Sequence, residues 1–349
     1  MKRSVCVVIA FLVLGAFALY AGGSKESTGA AKTSFKIALS NSYIGNTARA
    51  EQVKIFESYT KKLQQSGVVS ASFSSSSGTD PQAQINEIRN MMSKGFDAII
   101  VNAASPTALV PVLEEAMSRG IVIVCYDNLV DSDKVYAVKT DRIQFGKLQA
   151  QWVIDKMGGK GNLVLIRGIE GTGATREASQ GWQSVLDKYP DVKVLAAGDG
   201  KWDDAATVTL LNNILSANKG QEIDGILNEG GNANGVYEAF TQNGVDPTKV
   251  WWSGEMENAY WKHMKKDGVR GVSVGQPIYL VAAAVDFAID VLKGKTTEKT
   301  RIIPLPVADY TQVDQYYAPD LPDSFFVSWK DAQNTYGLSL KDVIPEGLK

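Results

Sequence analysis

The chain has 349 residues, is 44% hydrophobic and 21% charged, carries a formal net charge of −2 and contains a single histidine. That length is about twice a common domain and allows a large core. No long Lys/Arg block breaks the balanced charge, so the electrostatic footprint of nucleic-acid binding is missing, and one histidine with two cysteines leaves little basis for a zinc centre.

Met1-Lys2-Arg3 followed by an apolar run over 5–21 reads as a secretory signal peptide (1–21), with cleavage expected after Ala21. Retention as an uncleaved anchor is the alternative. A lipoprotein signal places a cysteine at the cleavage point, and Leu19-Tyr20-Ala21-Gly22-Gly23 has none. Residues 22–34, rich in Gly, Ser, Ala and Thr, read as a flexible tether. Cys6 falls inside the signal, so the exported chain keeps one thiol, Cys125, in the buried-strand pattern Ile121-Val122-Ile123-Val124-Cys125-Tyr126-Asp127. The expectation there is an inert core residue.

From residue 35 short apolar strands alternate with longer amphipathic helices. Strands are expected at 35–39, 68–73, 98–101 and 121–124, with helices around 47–64, 81–94 and 106–119. Pro81 suits a first helical turn, and Gly95 and Gly120 suit left-handed caps. A linking strand at 135–138 follows, and the pattern restarts with strands at 162–166, 192–196, 223–227, 250–252 and 272–275. Their helices fall at 175–189, 203–216, 232–242, 257–266 and 278–292, before a further crossing at 301–306. Near-continuous apolar strands between helices argue for parallel sheets covered on both faces, and the count of units fits two lobes of similar topology.

Arg176 ends Gly171-Thr172-Gly173-Ala174-Thr175-Arg176, between a strand and a helix, after Lys139-Thr140-Asp141 and before Trp202-Asp203. Strand-end loops of this kind open into the crevice where α/β proteins take ligands. A guanidinium offers a fixed fork of donors and an indole a flat apolar face, which points to recognition rather than catalysis. Asp141 and Asp203 each precede a helix, and either cap it or touch a ligand. Trp182 reads as core. Trp251 and Trp252 are strand neighbours, so one faces packing while the other points the opposite way, where it can line a cleft. His263 lies in a charged helical segment and reads as a surface residue. The glycine-rich 168–173 lacks the Lys-Ser/Thr ending of a nucleotide loop. Hydrolysis by Asp127 and Glu255 would need a carboxylate separation that sequence does not set.

The segment 84–101 with Gly95-Phe96-Asp97 and Asn102, the strand end Tyr126-Asp127-Asn128, Lys139-Thr140-Asp141, the stretch 171–182 and Gly275-Gln276-Pro277 together resemble the periplasmic sugar-binding proteins of ABC transporters, of the ribose/galactose type. The resemblance covers residues 35–294. It implies an α/β two-lobed periplasmic binding protein fold, each lobe a mostly parallel sheet flanked by helices, with three inter-lobe crossovers. The N-terminal lobe would comprise 35–138 plus 271–303, and the C-terminal lobe 139–270 plus 304–340. It also implies a binding protein without enzymatic activity, catalytic residues, cofactor or metal, which closes on its ligand and is read by a membrane permease. Some relatives also serve a chemoreceptor.

The same resemblance implies ligand-binding residues. Asn41 and Tyr43 match an amide and a ring wall in the first strand-helix loop, and Asp127 matches a carboxylate that accepts sugar hydroxyls. Asn128 replaces an arginine of the family, which puts ribose itself in doubt. Arg176 matches the second-lobe arginine, Trp202 stands for a stacking platform, and Gln276 matches a crossover residue. Asn228 and Glu229 stand where simpler members carry Asn-Asp. In Ser253-Gly254-Glu255, Glu255 is either a shifted acidic contact or part of a turn. Amides and charged groups of this kind satisfy buried hydroxyls, while aromatic faces cover C–H surface. The expected ligand is a monosaccharide or related polyol delivered to an ABC permease after export to the periplasm. A furanosyl signal, a nucleoside or another small polar solute, or a sensory module, is the alternative. An intracellular repressor would need a DNA-binding unit where the signal lies.

Overall fold

The computed structural model describes residues 32–44 and 47–345. The expected signal, and the expected tether apart from residues 32–34, lie outside the described residues. In the first lobe β1 (Phe35–Asn41), α1 (Thr47–Gln65), β2 (Val69–Ser76), α2 (Pro81–Ser93), β3 (Ala98–Val101), α3 (Val110–Ser118), β4 (Val122–Tyr126) and β5 (Tyr136–Lys139) follow one another. The second lobe begins with α4 (Arg142–Lys156), β6 (Gly161–Arg167), α5 (Gly173–Leu186), β7 (Val192–Asp199) and α6 (Asp204–Ala217). It continues with β8 (Gly225–Asn228), α7 (Ala233–Gln242), β9 (Trp251–Gly254), α8 (Asn258–Lys266) and β10 (Arg270–Val274). The chain returns through α9 (Leu280–Leu292) and β11 (Thr300–Ile302), crosses to β12 (Val307–Asp309), and ends in α10 (Val313–Tyr316), α11 (Trp329–Tyr336) and α12 (Leu340–Val343).

The two six-stranded sheets share one logic, β11-β5-β4-β3-β1-β2 and β12-β10-β9-β8-β6-β7. The described pairings are parallel except β10 with β12. Both faces of each sheet are covered, which is why β3 reads Ala-Ile-Ile-Val and is buried throughout. Strand order reverses at β1/β3 and again at β6/β8, so each lobe has a crevice at the carboxyl ends of its strands. Helix starts follow their local chemistry. Asp80, Asp141 and Asp203 each accept a backbone N–H of the helix that follows, so the last two are caps. Helix α9 is apolar nearly all round because it is buried between α1 and the first sheet.

Three expectations change. Residues 271–274 belong to the second sheet, since β10 pairs with β9 and β12, and the return to the first lobe starts at Gly275. The tail does not stay with the second lobe. Phe325 and Val327 hydrogen-bond to Asn258 and Met256, after which Phe326 donates its N–H to Glu51 of α1 and Lys62 donates to the Tyr336 carbonyl. Burial of Tyr336 against Tyr59 and Tyr279 drives that return. His263 is 6% exposed, stacked on Tyr237 with Asp267 and Asn234 at its ring nitrogens. The charged helix that suggested a surface position buries this face against α7.

Candidate functional site

The carboxyl ends of both sheets converge on the crossovers. In the first lobe Asp127 follows β4 with φ at +57°, a left-handed conformation that Asp tolerates better than most residues. That turn aims its carboxylate at Arg49, the third residue of α1, with 2.5 Å between the charged atoms. Gln276, on the second crossover, donates to the other Asp127 oxygen at 2.8 Å, and accepts from Thr140 on the first crossover at 2.6 Å. A hydrogen-bonded line therefore runs Thr140–Gln276–Asp127–Arg49, from the hinge into the first lobe. Burial pushes the Asp127 carboxyl up, but the Arg49 guanidinium outweighs it and holds the group below the usual carboxylate range.

The second lobe repeats the device. Glu229, just beyond β8, is 1% exposed and takes three donors. Arg142 of α4 meets one oxygen at 2.7 Å, while the Gly168 N–H and the Thr175 hydroxyl reach the other at 2.8 and 3.0 Å. The Arg142 guanidinium also lies 4.1 Å above the Phe145 ring, and its buried Nε has no hydrogen-bond partner among the described residues. Glu255, after β9, faces Arg142, Glu229, Asp127 and the Gln276 backbone N–H, and burial pushes its carboxyl up to about 7. Asp127, Glu229, Glu255 and Gln276, far apart in sequence, therefore share one site.

The remaining expected residues fall around it. Asn41 ends β1 fully buried; its amide nitrogen is used by Tyr43 and Ser76, while Oδ1 has no partner among the described residues. Tyr43 is 46% exposed in the following loop. Asn128 is exposed and donates to Asn102, which ties the β3 and β4 loops together. Asn228 is spent internally, donating to Asn232 and accepting from the Gly230 N–H, so it shapes the loop that carries Glu229. Trp202 is half-buried with φ at +55° and covers Gly168, where any Cβ would lie 2.3 Å from the indole. Arg176 stands exposed in the first turns of α5, on a rim groove of about 380 Å³ with Arg167, Glu170 and Asp199. Trp252 is core, stacked on Tyr260, and Trp251 packs on Trp152, so neither lines the cleft. Cys125 is buried, which pushes its thiol up to about 12.

Sequence reading missed Arg49 and Arg142. Both carried a signal: a cation in the first turn of a helix opposes the helix dipole, and such a placement asks for a carboxylate from elsewhere. No group of three or more His, Cys, Asp or Glu side chains among the described residues is arranged to hold a metal ion. No helix among them is long and apolar enough to cross a membrane.

Residues 37–296 match the sequence profile of a family described as periplasmic binding protein domain. The ribose import binding protein of Bacillus subtilis (strain 168) is 25% identical over 313 residues, covering 87% of this chain and 98% of that protein. A xylitol-binding protein of Mycolicibacterium smegmatis is 26% identical, with 68% of each chain covered. Among solved structures, an ABC transporter solute binding protein from Thermobispora bispora superposes with a TM-score of 0.72 at 26% identity, covering 83% of this chain and 90% of the other.

Proposed function

The chain belongs to the periplasmic binding protein domain family, a family of binding proteins rather than enzymes, and from that premise we propose a sugar or polyol receptor of an ABC transporter. It captures its ligand between the lobes and delivers it to the permease; a chemoreceptor is a second partner of the closed form. The observation that carries this reading is the set of polar groups meeting at the crossovers, Asp127 with Arg49 from one lobe, Glu229 with Arg142 and Glu255 from the other, and Gln276 between them. A polyhydroxylated solute needs many oriented donors and acceptors, because each buried hydroxyl left unpaired is costly. Relatives named for ribose, xylitol and D-xylose, and a neighbouring structure bound to myo-inositol, support the same ligand class.

Within this reading Asp127, Glu255, Gln276, Arg49 and Arg142 touch the ligand, Asn41 and Trp202 border it, and Glu229 orients Arg142. Asn228 and Asn128 hold loops. Tyr43 and Arg176 stand at the rim and reach the ligand on closure. The lobes hinge at residues 139–141, 275–279 and 303–306, and the signal expected at 1–21 directs export to the periplasm. Thermal unfolding of ligand-stripped protein against pentoses, hexoses, polyols and nucleosides tests the reading. Ligand at 1,000 times its dissociation constant adds roughly 4 kcal/mol to the folded state. A selective rise for one stereochemical series, with a smaller scattering radius on saturation, supports it; no rise with any sugar or polyol refutes it.

A further inference from the structure

Among the described residues the ion pairs at the crossovers leave one acid over, Glu255. Arg49 pairs with Asp127 and Arg142 with Glu229, at 2.5 and 2.7 Å. Glu229 is further tied down by Gly168 and Thr175, so its claim on Arg142 is geometrically fixed. Among the described residues Glu255 makes no side-chain ion pair within 4 Å; it faces Arg142 without pairing with it and lies near the Gln276 backbone N–H. Its position is imposed from behind. A Cβ on Gly230, which has φ at +122°, would stand 2.5 Å from the Glu255 Cβ, so only glycine lets the β8 and β9 loops approach this closely. The Glu255 side chain is partly exposed, so a bound molecule can reach it.

A carboxylate in that setting, with two more carboxylates facing it and its shared guanidinium already paired, is stabilised most by a positive charge. We propose that the ligand is an aminated sugar or aminated polyol whose ammonium pairs with Glu255, which makes Glu255 the residue that selects for positive charge. The proposal rests on the receptor reading above. The neutral hydroxyls of such a ligand still meet Asp127, Gln276 and the two arginines, and only the amino position is read by Glu255. The raised carboxyl adds a consequence: an arriving ammonium favours the ionised form, so binding near neutral pH releases a proton to the buffer.

Titration calorimetry of ligand-stripped full chain tests this. Each sugar or polyol that binds is compared with its amino-deoxy derivatives at every ring or chain position and with their N-acetyl forms, in two buffers of different ionisation enthalpy. The expected result is one amino derivative bound about tenfold or more tightly than its parent and its neutral N-acetyl form, with proton release. Glu255→Gln should bring the affinity ratio of the amino derivative to its parent back to about one, whatever it does to the affinity for the parent itself. If every amino derivative binds no better than its parent, the proposal fails and the receptor reading stands. It fails equally if Glu255→Gln keeps the preference. Binding of no sugar, polyol or amine removes the receptor reading, and this proposal with it.

Discussion

Arg142→Met is the sharpest probe of the second-lobe site, because it keeps an apolar stem over Phe145 and deletes only the charge and its donors. The carboxylate left behind, Glu229, is 1% exposed and retains just two neutral donors, Gly168 N–H and Thr175 O–H. Breaking a buried ion pair by removing one partner costs about 3–5 kcal/mol, mostly the price of an uncompensated charge. Glu229→Gln should cost less, since the amide oxygen still accepts. The double variant should be more stable than the summed singles predict by roughly 1.5 kcal/mol or more, because residues in one network couple by up to about 3 kcal/mol. Urea unfolding followed by tryptophan fluorescence is the assay. It reports mainly on the second lobe, which holds Trp152, Trp182, Trp202, Trp251, Trp252 and Trp261, with Trp329 of α11 the seventh tryptophan. Costs below about 1 kcal/mol for Arg142→Met, or singles that add within about 0.5 kcal/mol, would refute a fixed Arg142–Glu229 pair.

Other consequences are open to direct measurement. Glu257 is 6% exposed and accepts the Ala233 N–H, and burial pushes its carboxyl up from 4.5 to about 8. The folded chain therefore holds a proton that the unfolded chain has lost, so this group makes stability fall as pH rises from about 4.5 to 8, by at most about 1.4 kcal/mol per unit, and then level off. Glu257→Gln should flatten that slope in unfolding experiments across the range; an unchanged slope counts against the assignment. Gly168→Ala puts a methyl 2.3 Å from the Trp202 indole, and overpacking of this kind costs about 1–3 kcal/mol. A shifted Trp202 emission and weaker ligand binding are expected, and unaltered emission would mean the indole does not rest on Gly168. Arg142→Met should lower affinity more than Arg176→Ala, because Arg142 is held at the crossovers and Arg176 is exposed at the rim. The opposite order in calorimetry would move the site toward the α5 loop.

Much of the fold was legible because its determinants are local. Alternation of apolar strands with amphipathic helices follows from periodicity; Pro81 marks a helix start through its fixed φ, and Asp141 and Asp203 do so through bonds to residues three away. The strand-end positions of Asp127, Glu229 and Glu255 were legible for the same reason. Their partners were not. Arg49 lies 78 residues from Asp127, and Arg142 lies 87 residues from Glu229, and nothing in the intervening sequence records that the chain brings them together.

The sequence by itself determined the alternating architecture, the two lobes and the loops that can face a ligand, since those depend on neighbours along the chain. Tertiary structure alone decided which charges meet. It placed Arg142 rather than Arg176 against the buried carboxylates, spent Asn228 on its own loop, buried His263 and left Glu255 as the surplus acid. The physical reason is that the fate of a charged side chain depends on desolvation and on partners brought in by packing, and neither is a property of its neighbours in sequence.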